Sequence, residues 1–256
     1  MTHYNKYSTV AIVVAVFFLT AVSALADVKM MHGKAVNSDG DLLFLEEHTI
    51  KYDNDRIVSI KTVYYDTNSE KIGQTITDFS QGSQVGSYEF KDERMQYYDG
   101  AKIMADQILI YCKETPEADT QQKYLDREPS QIVGQGFYSF VLANLDALSR
   151  GDVIAAKLVL PAQMDQFDIR IRKSNFEDGS ITIRIELDNW FLRLFAPRIE
   201  AEFDLDSRRL LKYKGVSMIA DASGKNVPVT VSYAYSQKNL QVSSLMTPGA
   251  VRQDSN

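Results

Sequence analysis

The chain has 256 residues, with 28 Lys and Arg against 34 Asp and Glu for a net charge of −6. That length allows one large or two small domains. The acidity, with no local run of basic side chains, argues against nucleic acid and anionic membrane surfaces as partners, and a single cysteine, Cys112, excludes an internal disulfide.

The first 26 residues read as a targeting segment. Lys6 is their only charged side chain, an apolar run covers Val10–Val22, and Ala24-Leu25-Ala26 precedes Asp27. Small residues at those positions suit signal peptidase, so cleavage is expected after Ala26. The product is expected in the periplasm or outside the cell, with no transmembrane span left after cleavage. No cysteine follows the site to take a lipid.

From Val28 onward the pattern is strand after strand. Expected strands are Leu42–Tyr52, Arg56–Tyr65, Lys71–Phe79, Val85–Phe90 and Arg94–Tyr98, separated by turn sequences such as Asn37-Ser38-Asp39-Gly40 and Asp66-Thr67-Asn68-Ser69. A spacing of about 10 to 14 residues is that of an antiparallel meander. Ala101–Cys112 fits a strand or a short helix, with the β-branched end Ile108–Tyr111 favouring strand. Lys113–Pro129 is polar with two prolines and reads as a surface connector, and Ser130–Val133 as a short turn before a helix.

Gly136–Gly151 is the one convincing helix. Phe137, Phe140, Val141, Leu145 and Leu148 fall along one stripe, and Gly151 is placed to end it in a left-handed conformation. A lone amphipathic helix among strands must lay that stripe on a sheet.

The second half alternates more cleanly. Phe167, Ile169 and Ile171 oppose Asp168, Arg170 and Arg172; Ile181, Ile183 and Ile185 oppose Thr182, Arg184 and Glu186; Ile199, Ala201 and Phe203 oppose Glu200, Glu202 and Asp204. Period two with one apolar face defines an antiparallel sheet that is wet on one side. Arg208–Met218 and Val227–Tyr235 complete the strands. Trp190–Phe195, which holds the only Trp, reads as a helical turn or two ended by Pro197. The expected organisation is a signal peptide over 1–26, a single β-rich domain over 27–240 and a polar tail over 241–256. The fold class is mainly β: a curved antiparallel meander or partial barrel, with the central helix and the Trp190 segment as plug or cover.

Chemistry-bearing residues are sparse. Glu46-Glu47-His48 is the densest titratable cluster, and a His beside carboxylates suits general base or metal work. In a strand, Glu46 and His48 share one face and Glu47 takes the other. We read the cluster as a solvated face. Only His32 and His48 remain after residue 26, with no zinc-like spacing. The acidic stripe Glu200, Glu202, Asp204 is expected to pair across strands with Arg170, Arg172 and Arg184. Cys112 ends an apolar run and reads as a small buried hydrophobe. No nucleophile elbow, phosphate-binding loop or dinucleotide fingerprint occurs.

The stretches GFYSFVLANLDAL, VLPAQMDQFDIRIRKS and NWFLRLFAPRIEAEFDLDSRRLLKYKGVSMI, with DGDLLFLEEHTIKYDNDRIVSIKTVYYD earlier, resemble a group of uncharacterised exported proteins of Gram-negative bacteria. That resemblance implies no activity. A weaker, architectural resemblance is to the half-barrel of periplasmic lipoprotein carriers, which shelter acyl chains in an apolar concave face. The resulting expectation is a non-catalytic protein that holds a lipid or other hydrophobic molecule, with no cofactor and no metal. Phe137, Phe140, Val141, Trp190, Phe191 and Phe195 are the expected ligand-facing residues. The alternatives are an envelope protein-interaction module with a filled core, and a hydrolase using Glu46 or Glu47 with His48. The discriminating feature of the hydrolase would be a carboxylate buried beside His48 in a cleft, with a raised pKa.

Overall fold

The computed structural model describes residues 27–80, 85–193, 197–221 and 223–236. The expected signal peptide and tail lie outside the described residues. Eight strands run from the first described residue to mid-chain: β1 (Asp27–Val36), β2 (Leu42–Asp53), β3 (Arg56–Tyr65), β4 (Lys71–Asp78), β5 (Ser87–Asp92), β6 (Tyr97–Ile103), β7 (Gln107–Lys113) and β8 (Gln121–Asp126). After β9 (Gln131–Val133) comes α1 (Gly136–Arg150). Then follow β10 (Ile154–Leu160), β11 (Asp165–Glu177), β12 (Ser180–Leu187), the single turn α2 (Trp190–Arg193), β13 (Ile199–Asp204), β14 (Leu210–Ala220) and β15 (Asn226–Ser236).

All fifteen strands form one sheet in the order β8 to β1, then β15 back to β9. Every neighbouring pair is antiparallel except β9 with β10. The first and last described strands pair in the middle of the sheet, with Gly33 opposite Tyr233, and two meanders fan out from that seam. The sheet is open, because β8 and β9 are edges. It curls so far that the edges approach. Lys123 on β8 reaches Asp165 at 3.0 Å, and Gln131 donates to the Asp126 carbonyl at 2.9 Å and to Gln166 Oε1 at 2.8 Å. Ile108, Ile110 and Leu125 from one edge share a core with Val133 and Val159 from the other. The expected partial barrel is therefore present.

Helix α1 spans the predicted residues. Its last turn is closed by Gly151 at φ 101°, whose amide bonds back to the Ala147 and Leu148 carbonyls, a conformation that glycine adopts without steric cost. Phe140, Val141, Leu145 and Leu148 are buried against Ile169, Ile171, Ile181, Ile183 and Phe203. Each such side chain contributes about 1.5–3 kcal/mol by leaving water. The helix thus fills the space over β10–β13.

Local readings differ in four places. Arg94–Tyr98 is not a strand of its own: residues 93–96 turn the chain from β5 into β6, which starts at Tyr97. Ala101–Cys112 is neither one strand nor a helix: Met104 N–H donates to the Gln107 carbonyl at 2.9 Å and folds the stretch into a hairpin between β6 and β7. The polar connector contains β8, an edge strand whose side chains are exposed apart from Leu125, which is why it lacks a hydrophobic signal. Ser130–Val133 contributes β9, fully buried, in the one parallel pairing.

The outer face carries charge pairs. Glu186 takes Arg170 at 2.9 Å and Arg172 at 3.0 Å, Glu200 takes Arg184 at 2.6 Å, and Glu202 takes Lys212 at 3.4 Å. Cross-strand pairing holds as expected for Arg184. Arg170 and Arg172 instead find Glu186 on the adjacent strand, because β11 neighbours β12 and not β13.

Candidate functional site

The helix fills only part of the curled sheet. Beneath its N-terminus lies a cavity of about 640 Å³, partly open to solvent and within the range of small-molecule sites. Phe44, Tyr64, Phe90 and Tyr97 form a ladder of edge-on and tilted rings along its wall, with centroids 6.0, 6.2 and 5.9 Å apart. Leu158, Val159, Val229 and Val231 add aliphatic wall. Phe137 and Tyr138, in the first turn of α1, close one side, and Tyr138 stacks on Phe203 at 6.3 Å.

The loop into α1 is fitted to this interior. Gly134 adopts φ 50° and lies beneath the Tyr88 ring, where any β-carbon would meet ring atoms. Gln135 occupies the N-cap but makes no side-chain cap. Its amide donates to Thr62 Oγ1 on β3, and its carbonyl accepts from Thr77 Oγ1 on β4 at 3.2 Å. The side chain that would cap the helix instead ties it to the sheet.

Two polar centres face the cavity. The first is Glu46 with His48, each only 8 % exposed, which corrects the reading of a solvated face. His48 Nε2 lies 2.9 Å from Glu46 Oε2, and His48 Nδ1 lies 2.6 Å from Thr62 Oγ1. Register explains the room for the acid. Gly33 stands opposite both Glu46 and Tyr233, and a β-carbon there would lie 2.8 Å from Glu46 Oε2. Burial holds the Tyr233 phenol well above its ordinary range, and the Glu46 charge and hydrogen bond add to that.

The array Glu46–His48–Thr62 has the residue types of an acid, a base and a hydroxyl. Its order is wrong for nucleophilic catalysis. The carboxylate and imidazole line the cavity, while Thr62 is 0 % exposed and its hydroxyl accepts from the cavity-lining Gln135. A carboxylate buried beside His48 on a cavity wall, the geometry a hydrolase would need, is thus present, while Thr62 is not among the cavity-lining residues.

The second centre is Asp99 on β6, 5 % exposed. Its Oδ2 accepts from the Tyr97 hydroxyl at 2.6 Å, and Cys112, buried as expected, lies across the β6–β7 pair with Sγ 3.5 Å from the same hydroxyl. Burial pushes the Asp99 carboxyl up to about 6, opposed by the Tyr97 and Tyr88 hydroxyls. Among the described residues, the buried side-chain polar atoms without a hydrogen-bond partner are Asp99 Oδ1 and both ring nitrogens of His32. His32 stands opposite Glu47 and Ala234, on the outer side of β1. Asp99 Oδ1 belongs to a cavity-lining residue. Asp92, another acid on the wall, is fully engaged by the Arg94 backbone amide and guanidinium and by the Met95 amide.

Of the expected ligand-facing residues, only Phe137 lines the cavity. Phe140 and Val141 belong to the filled core. Trp190 and Phe191 are 72 % and 53 % exposed and pack on each other on the surface. Phe195 lies outside the described residues. Sequence reasoning passed over Asp99, although it shares strand parity with Ala101 and Ile103, both buried. A second hollow, of about 920 Å³, lies beside α1 between Tyr52, Leu142 and Arg208. It contains no buried unpartnered group. Among the described residues no three His, Cys, Asp or Glu gather to hold a metal ion, and no helix is long and apolar enough to cross a membrane.

No known protein family matches the chain, and no curated protein does. A solved structure, a beta-barrel-like protein of a domain of unknown function (DUF1849) from Brucella abortus, is similar over 83 % of this chain and 96 % of its own, with 8 % identity and a TM-score of 0.35.

Proposed function

We propose that the protein is an exported, non-catalytic carrier that holds a small hydrophobic molecule, such as a lipid chain, inside the curled sheet. The cavity of about 640 Å³ under the N-terminus of α1 carries this reading. Aromatic and aliphatic walls of that size bind apolar ligands by removing them from water. The ligand-facing residues are Phe137 with Phe44, Phe90, Leu158 and Val229, in place of the exposed Trp190 and Phe191. Export follows from the apolar segment and Ala24-Leu25-Ala26 at the start of the chain.

The test is native mass spectrometry of protein purified from the periplasm, followed by solvent extraction of what it carries. The expected result is a stoichiometric adduct lost on extraction. Protein free of adduct that also fails to bind the neutral apolar fluorophore N-phenyl-1-naphthylamine would refute the reading.

A further inference from the structure

The charge of the cavity wall narrows the ligand class. Among the described residues four carboxylates line the cavity, those of Glu46, Asp92, Asp99 and Glu114, and no lysine or arginine does. Three of them are paired or face solvent. Asp92 is saturated by the Arg94 turn, Glu46 is held by His48, and Glu114 is exposed to solvent. Asp99 differs from all of them. It is nine-tenths buried, one oxygen is held by Tyr97, and the other has no partner within hydrogen-bond geometry, although the Tyr88 hydroxyl also acts on the carboxylate.

A buried carboxylate oxygen without a donor is costly. Such an orphan in a hollow interior marks the place where a ligand supplies the missing donor. The surroundings favour a cation. Tyr97 and Phe90 stand 5.9 Å apart with Tyr88 on the same wall, and aromatic faces attract ammonium groups. An anionic head group would meet four carboxylates, with the His48 imidazole already engaged by Glu46 and Thr62, in a medium that screens charge poorly.

Resting on the carrier reading above, we infer that the ligand is a cationic amphiphile, an alkyl or aryl amine whose ammonium N–H donates to Asp99 Oδ1 while its apolar portion lies along the Phe44–Tyr64–Phe90 ladder. Free fatty acids and phosphate-headed lipids are disfavoured by the same wall.

The experiment is displacement of N-phenyl-1-naphthylamine by three chain-matched competitors, octylammonium, octanol and octanoate, from the whole protein as purified. A charge-assisted hydrogen bond distinguishes ammonium from its neutral and anionic analogues by roughly tenfold or more. The expected order is ammonium, then alcohol, then carboxylate. In Asp99→Asn, an isosteric change that removes only the charge, ammonium should fall to the level of the alcohol while alcohol binding stays within about twofold. Equal displacement by octylammonium and octanoate in the unmodified protein would overturn the inference and leave the carrier reading intact. So would an ammonium preference that survives in Asp99→Asn. Failure of the fluorophore itself to bind would remove both. The comparison within the unmodified protein holds even if the variant does not fold.

Discussion

The two halves of the curled sheet are built from the same kind of strand and end with different interiors. Over β10–β13 the inward residues are Ile169, Ile171, Ile181, Ile183 and Phe203, and the α1 stripe lies directly on them. Over β2–β6 the inward residues include Glu46, His48, Thr75, Tyr88 and Asp99, and the helix meets that wall through Gln135, Phe137 and Tyr138, with Tyr138 and Leu142 packing on Ile50, Ile57 and Ile60 at its margin. Where both partners are aliphatic, close packing excludes space. Where one side carries hydroxyls and carboxylates, an apolar helix has nothing to gain by covering them, and a cavity is left. One helix thus packs closely over β10–β13 and leaves room on the other side of its first turn, where the wall mixes apolar side chains from both meanders with Glu46, His48 and Asp99.

The largest expected effect lies in the filled half. Leu145→Ala should cost about 2–5 kcal/mol in urea unfolding, since its site is fully buried among β-branched side chains that relax little. A cost under about 1 kcal/mol would mean that this half is not close-packed.

That half was also the legible one. The stripe Phe140, Val141, Leu145, Leu148 and the Gly151 stop have a fixed period, and the sheet's second meander alternates without exception from Ile181 to Ile185. The hollow half was not legible, for a physical reason. On β2 both parities are apolar: Leu43 and Leu45 on one, Phe44 and Ile50 on the other. Alternation therefore does not say whether Glu46 and His48 point in or out. The pairing of Gly33 with Glu46 decides it, and pairing is a property of two strands, not one. Trp190 and Phe191 misled in the opposite way. Their short helical period promises a plug, yet the interior on that side is already filled by α1.

The next effect lies in the hollow half and has the opposite sign. Burial raises the Asp99 carboxyl to about 6. As pH rises from the ordinary carboxylate range toward 6, the unfolded chain has lost its proton while the folded protein still holds it, so this group's contribution to stability falls through that window. Asp99→Asn should abolish the slope and stabilise the protein at pH 7 by up to about 3 kcal/mol. The readout is the difference in urea midpoint between the two proteins at pH 4 and pH 7. A variant less stable than the parent at pH 7 would show that Asp99 is satisfied without a ligand.

The smallest effect lies on the outer face. Arg172, then Arg170, hold the Glu186 carboxyl down to about 2. Its contribution is complete above the ordinary carboxylate value and is lost as pH falls toward 2. The pair geometry is partly solvated, so Glu186→Gln should cost about 1 kcal/mol or less at neutral pH. That cost should shrink in high salt. A loss as large as that of Leu145→Ala would mean that the charged face, and not the filled core, holds β11 to β12.

The proposed carrier role requires room for a ligand under the start of α1, and Val229→Trp measures that room directly. Val229 is buried and lines the cavity. In a hollow, the larger side chain occupies existing room: unfolding stability should stay within about 1 kcal/mol of the parent, and binding of N-phenyl-1-naphthylamine should be lost. A variant destabilised by more than about 3 kcal/mol that, while still folded, binds the fluorophore as well as the parent would contradict the account, because the space would already have been filled and the binding would lie elsewhere.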